Sequence, residues 1–142
     1  MPDSCHTVQE RVGRVAAGDD RRAGGRDRME TLLALAEHLP DDERVLLRQV
    51  FELGLTVPQI ARQTQRPRGH VYRRVQRILR RLNSPLFRYV AGHQRILPAE
   101  LRAIAGLAVL AGLSVRQTAR RARLTLHEVR SRVMALKMLS QM

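Results

Sequence analysis

Laid on residues 97–140 at a constant offset of 58, residues 39–82 match without a gap at twelve positions. These are Leu39/Leu97, Pro40/Pro98, Arg44/Arg102, Gly54/Gly112, Leu55/Leu113, Val57/Val115, Gln59/Gln117, Ala61/Ala119, Arg62/Arg120, Val71/Val129, Arg74/Arg132 and Val75/Val133. Two helical stretches rich in Arg and Leu coincide at some positions by chance, but not at the Leu-Pro, Gly-Leu and capping positions together. The chain therefore reads as a duplicated unit, each copy with room for only a few short elements.

The same positions say what those elements are. Apolar spacing is helical from Met29 onward, with Leu32, Leu33, Leu35 and Ala36 on one stripe and Val45, Leu46, Val50 and Leu53 on the next. No stretch alternates as a strand does, so the expected class is all-α. Pro40 and Pro98 suit a first helical turn, followed by Asp41, Asp42 and Glu43 in one copy and Glu100 in the other at the positive helix end. Gly54 and Gly112 stop those helices. Thr56 with Gln59, and Ser114 with Gln117, have the spacing of a capping box and open a short second helix. A tight turn at Gln65 and Arg66, or at Arg123 and Leu124, leads to a third helix carrying Val71, Val75, Ile78 and Leu82, or Val129, Val133 and Leu136. Thr125 and Glu128 cap the third helix of the second copy, where Pro67 holds the matching place in the first. The organisation expected is a flexible tail over 1–28, a first three-helix unit over 29–83, a short helical connector over 84–96 and a second unit over 97–142. The tail is too poor in large apolar groups to offset its chain entropy.

The charge distribution narrows the partner. Of 26 basic and 13 acidic residues, giving a formal net charge of +13, the acidic ones gather at the front of the chain. No carboxylate falls between Glu52 and Glu100, a stretch holding Arg62, Arg66, Arg68, Arg73, Arg74, Arg77, Arg80, Arg81, Arg88 and Arg95. Codon bias accounts for Arg over Lys, with Lys137 the single lysine, but not for the exclusion of acids from one block. An unneutralised cationic block calls for a polyanion, and double-stranded DNA fits best.

A helix, a sharp turn and a longer helix, braced by one in front, is the layout of a helix-turn-helix. The stretch 97–139, with Leu97-Pro98, Gly112-Leu113-Ser114, Thr118-Ala119 and Glu128-Val129-Arg130-Ser131-Arg132-Val133, resembles region 4 of extracytoplasmic-function sigma factors. The stretch 39–82 resembles it more distantly. The resemblance implies two tandem, winged-helix-like units of the sigma region 4 type. It also implies a DNA-binding regulator of transcription initiation and contact with RNA polymerase. Nothing resembles region 2, which opens promoters with aromatic side chains; Phe51, Tyr72, Phe87 and Tyr89 are the aromatics present.

In such a unit the last helix lies in the major groove, its front half reaching base edges while basic groups around it hold phosphate. In the first copy that helix spans 68–82, with Arg73, Arg77, Arg80 and Arg81 expected outward, Arg66 in the turn before it, and Arg68, His70 and Tyr72 near the entering end. An arginine fork takes both guanine acceptors, which lysine does not. In the second copy the candidates are Arg116 and Arg120, with Arg121 and Arg123, on the preceding helix, and His127, Arg130 and Ser131, with Lys137, on the last. Met134, Met138, Leu139 and the apolar helix 104–110 are more than a three-helix unit hides. They predict packing within the chain or a homodimer, and packing within the chain also serves Phe87, Tyr89, Val90 and Ile96.

Other classes fit less well. No cluster of carboxylates or activated nucleophile marks an enzyme, and His6, His38, His70, His93 and His127 lack ligand spacing, so neither metal nor cofactor is expected. The rival readings are an RNA polymerase adaptor acting through protein contacts, and a DNA-binding accessory of a recombinase or transposase. RNA is disfavoured by the scarcity of stacking aromatics. One cysteine, Cys5, excludes an intramolecular disulfide, the apolar run 103–113 is too short to cross a bilayer, and no leader is evident, so a cytoplasmic, non-membrane protein is expected.

Overall fold

The computed structural model describes residues 25–142, with only the backbone of Arg26. The expected tail lies outside the described residues as far as residue 24. Its last four residues open a helix ahead of Met29. Among the described residues there are helices and no strand, so the likeness to winged helices stops at the helices. The chain divides into two compact units between Leu82 and Asn83.

The first unit contains α1 (Gly25–Ala36), α2 (Asp41–Phe51), α3 (Val57–Thr64) and α4 (Arg68–Leu82). Its core is Leu32, Ala36 and Leu39 against Leu46, Leu47 and Val50, with Val57, Ile60 and Ala61 of α3 and Val71, Val75, Ile78, Leu79 and Leu82 of α4. Val45 and Leu53, placed on the core stripe by spacing, are 51% and 68% exposed. The face α2 buries runs through Leu46, Leu47 and Val50, which turns Val45 to solvent. Leu53 follows the end of the helix at Phe51 and no longer keeps its period. The stop is a left-handed Gly54, φ +66°, with Leu55 N donating to Gln49 O at 2.8 Å. Open space surrounds the position where a Cβ would sit on Gly54, so its replacement meets backbone strain alone. Gly54→Ala is expected to lower the unfolding free energy by about 1–2 kcal/mol, read from the urea midpoint, and Gly54→Asn by less.

The second unit contains α5 (Pro85–His93), a 3-10 turn (Gln94–Ile96), α6 (Ala99–Ile104) running into a π-helical turn (Ala105–Leu110), α7 (Val115–Ala122) and α8 (Leu126–Ser140). Residues 84–96 are helical as expected, and their helix is built into this unit. α5 packs on the π-helical turn and on α8, with Phe87 and Val90 fully buried. Ile96, expected to need a partner, is 75% exposed. Leu97, Ile104, Ala105, Val109, Leu110, Ala119, Val129 and Leu136 complete the core.

The expected caps form. Thr56 accepts from Gln59 N at 3.3 Å while Gln59 Oε1 accepts from Thr56 N at 2.8 Å. The Ser114–Gln117 pair repeats this at 3.1 and 3.0 Å, and Thr125–Glu128 at 3.1 and 3.4 Å. Both turns between the last two helices pass through one left-handed residue, Gln65 at φ 56° and Arg123 at φ 58°. The residue after it donates back into the preceding helix, Arg66 N to Ala61 O and Leu124 N to Ala119 O, each at 3.0 Å.

Candidate nucleic-acid interface

α4 owes its place to one apolar face. Val71, Val75, Ile78, Leu79 and Leu82 are buried, which fixes the opposite face in solvent. Arg73, Arg77 and Arg80 project from that face, all exposed, with no carboxylate partner among the described residues. Together with the half-buried Tyr72 and Gln76 they line a shallow groove of about 400 Å³. The Arg73 guanidinium folds back toward the start of the helix, and a Cβ on Gly69 would meet its Nη1 at 3.1 Å. Glycine at that position leaves room for a guanidinium at the entering end, where such helices reach base edges. Arg66 and Arg68 are exposed around the turn. Arg66, His70 and Arg74 line a second pocket of about 230 Å³ walled by Leu46, Ile60 and Val71.

Arg81 departs from its expected outward position. It is half-buried and bonded through both terminal nitrogens to Glu43, one contact at 3.2 Å, the two side chains being 20% and 14% exposed. Arg74 is likewise paired with Asp42. Both arginines lie on the flank of α4 that faces the first turn of α2, so two members of the cationic block are neutralised by acids from outside it. Asp41 pairs with Arg44 at 2.5 Å, and Glu37 with Arg48 at 2.7 Å. The acids at the start of α2 thus do more than suit a helix end: two of them tie α2 to α4. Glu43→Gln leaves the Arg81 charge half-buried beside a neutral amide. It is expected to cost about 1–3 kcal/mol, persisting at high salt, whereas Asp41→Asn at an exposed pair costs about 0.5 kcal/mol or less and loses its effect with salt. Urea unfolding in low and high KCl reads both.

Gln76 is a groove residue that sequence reasoning missed. Its amide nitrogen is buried without an acceptor among the described residues. Its spacing from Tyr72, Arg73 and Arg80 places it on one helix face with them, a signal that charge alone does not carry. In the second unit Arg116, Arg120, His127, Arg130 and Ser131 are all exposed. Arg121 and Arg123 share exposed positions on α7 and in its turn. Met134 and Met138 on α8 are 57% and 63% exposed. Among the described residues no group of His, Cys, Asp or Glu is placed to hold a metal, and no helix is long and apolar enough to cross a membrane.

A short helix, a left-handed turn residue and a longer amphipathic helix, braced from behind by two more, make the first unit a helix-turn-helix. Residues 29–82 match the family model described as sigma-70, region 4. The match includes the stretch 39–82, whose motifs bear the more distant resemblance. No curated protein and no solved structure matches the chain.

Proposed function

We propose that the protein is a DNA-binding transcription regulator related to sigma factor region 4, built from two tandem helix-turn-helix units, with α4 in the major groove. The observation that carries this reading is the row Arg73, Arg77 and Arg80: exposed, unpaired among the described residues, and held by a buried opposite face on a frame of the matching family. Arg73 and Arg77 take base edges, Arg66, Arg68 and Arg80 hold phosphate, and Tyr72 and Gln76 form the groove between them. Arg81 is assigned to the fold. No catalytic chemistry is assigned to any of these residues.

The duplication is supported by local geometry. At the offset of 58, α3 (57–64) falls on α7 (115–122) and α4 (68–82) on α8 (126–140), with both ends of each helix coincident. The left-handed pairs Gly54/Gly112 and Gln65/Arg123 stand at the same spacing. At the same offset α5 (85–93) falls within the span of α1 (25–36), which supports a leading helix in each unit.

A second reading, an RNA polymerase adaptor acting through protein contacts, draws on the exposed Met134 and Met138. Selection of bound duplexes from a random pool separates the two. A DNA reader enriches a motif that is lost with Arg73→Ala and Arg77→Ala; an adaptor enriches none.

A further inference from the structure

The two units share a frame but not a charge pattern. Where α4 carries Arg68, Arg73, Arg77 and Arg80, the equivalent positions of α8 carry Leu126, Ser131, Ala135 and Met138. α8 keeps Arg130 and Arg132, but arginine in the second unit is concentrated one helix forward. Where the first unit has Pro58, Arg62, Gln63 and Gln65, the second has Arg116, Arg120, Arg121 and Arg123. All four are exposed, and none has a carboxylate partner among the described residues. Arg116, Arg120 and Arg121 crowd the outer face of the eight-residue α7, whose opposite face buries Thr118 and Ala119. Arg116 and Arg120 stand one turn apart, a spacing at which like charges repel. The unit offers little relief: Glu100 and Glu128 are its only carboxylates, and Glu128 is held by the Thr125 cap and stands 3.9 Å from Arg132. A cationic cluster that the fold leaves uncompensated suits an external polyanion, and the helix ahead of a recognition helix is the one that crosses the DNA backbone.

We infer that Arg116, Arg120, Arg121 and Arg123 form a seat for the phosphates of duplex DNA. The second unit then holds DNA without reading it, and base readout is confined to α4. The inference rests on the proposed DNA-binding function. Phosphate contacts carry no sequence information, so the two units would divide affinity and specificity between them.

The test uses the full chain and two labelled duplexes, one of the selected sequence and one random. The variant carries Arg116→Gln, Arg120→Gln, Arg121→Gln and Arg123→Gln; glutamine is the residue that takes the left-handed position in the first unit at Gln65. An unchanged thermal melt shows that the variant folds. The seat predicts affinity for both duplexes falling by a common factor, the slope of log affinity against log salt becoming shallower by about 3–4, and the selected motif unchanged. A second variant, His127→Ala with Arg130→Ala, predicts the same motif as the parent. An unchanged slope in the fourfold variant would show a merely solvated face and overturn the seat. Loss of part of the motif in either variant would show that the second unit reads bases, and would overturn the division. If the parent chain binds neither duplex, the DNA-binding function itself fails, a result distinct from both.

Discussion

Arg73→Ala combined with Arg77→Ala is expected to weaken binding to the selected duplex by roughly 30- to 20,000-fold. Each arginine that forks onto a guanine is worth about 1–3 kcal/mol of discrimination, and about 1.4 kcal/mol is tenfold in affinity. Both side chains are exposed and unpaired among the described residues, so their loss leaves the core of α4 untouched and the melting temperature near that of the parent. The lysine versions sharpen the point. Arg73→Lys and Arg77→Lys keep the charge and hence the salt dependence, but lose the planar fork, so preference for the selected sequence over random duplex narrows while non-specific affinity stays. Titration of both duplexes with each variant checks the two effects separately.

Leu79→Ala acts on the opposite face of the same helix. Leu79 is fully buried among the residues of the first unit, and removing such a side chain costs about 2–5 kcal/mol from lost burial and the cavity left behind. A unit of this size has a total stability of only about 3–9 kcal/mol at ordinary values per residue. The substitution is therefore expected to bring the first unit close to its unfolding midpoint at room temperature. Binding should fall only in proportion to the unfolded fraction and recover at lower urea or with saturating DNA. An unchanged urea midpoint would show that the core is not where the fold places it.

The parts of this architecture that depend on a few neighbouring residues were legible in the sequence. Thr56 with Gln59, Ser114 with Gln117 and Thr125 with Glu128 specify caps through contacts three residues apart, and all three form. Gly54 and Gly112 end helices through backbone freedom alone, and the buried face of α4 follows from its helical period. The features set by how one element approaches another were not legible. Arg81 reads as outward on a helical wheel, yet it sits on the flank that the first turn of α2 reaches, where Glu43 claims it. Val45 and Leu53 looked apolar at the right spacing, but the core-facing side of α2 was decided by packing against α1 and α4. Residues 84–96 read as a connector because they share none of the matched positions. Only the packing of Phe87 and Val90 shows their helix to be part of the second unit.

On the proposed function, the α4 arginines of the folded chain meet a polyanionic duplex. The most direct measurement is the affinity of the purified full chain for the selected duplex across a KCl series. Engagement of about six phosphates predicts a log–log slope near −5. A slope near zero, or no binding at low salt, would contradict the account.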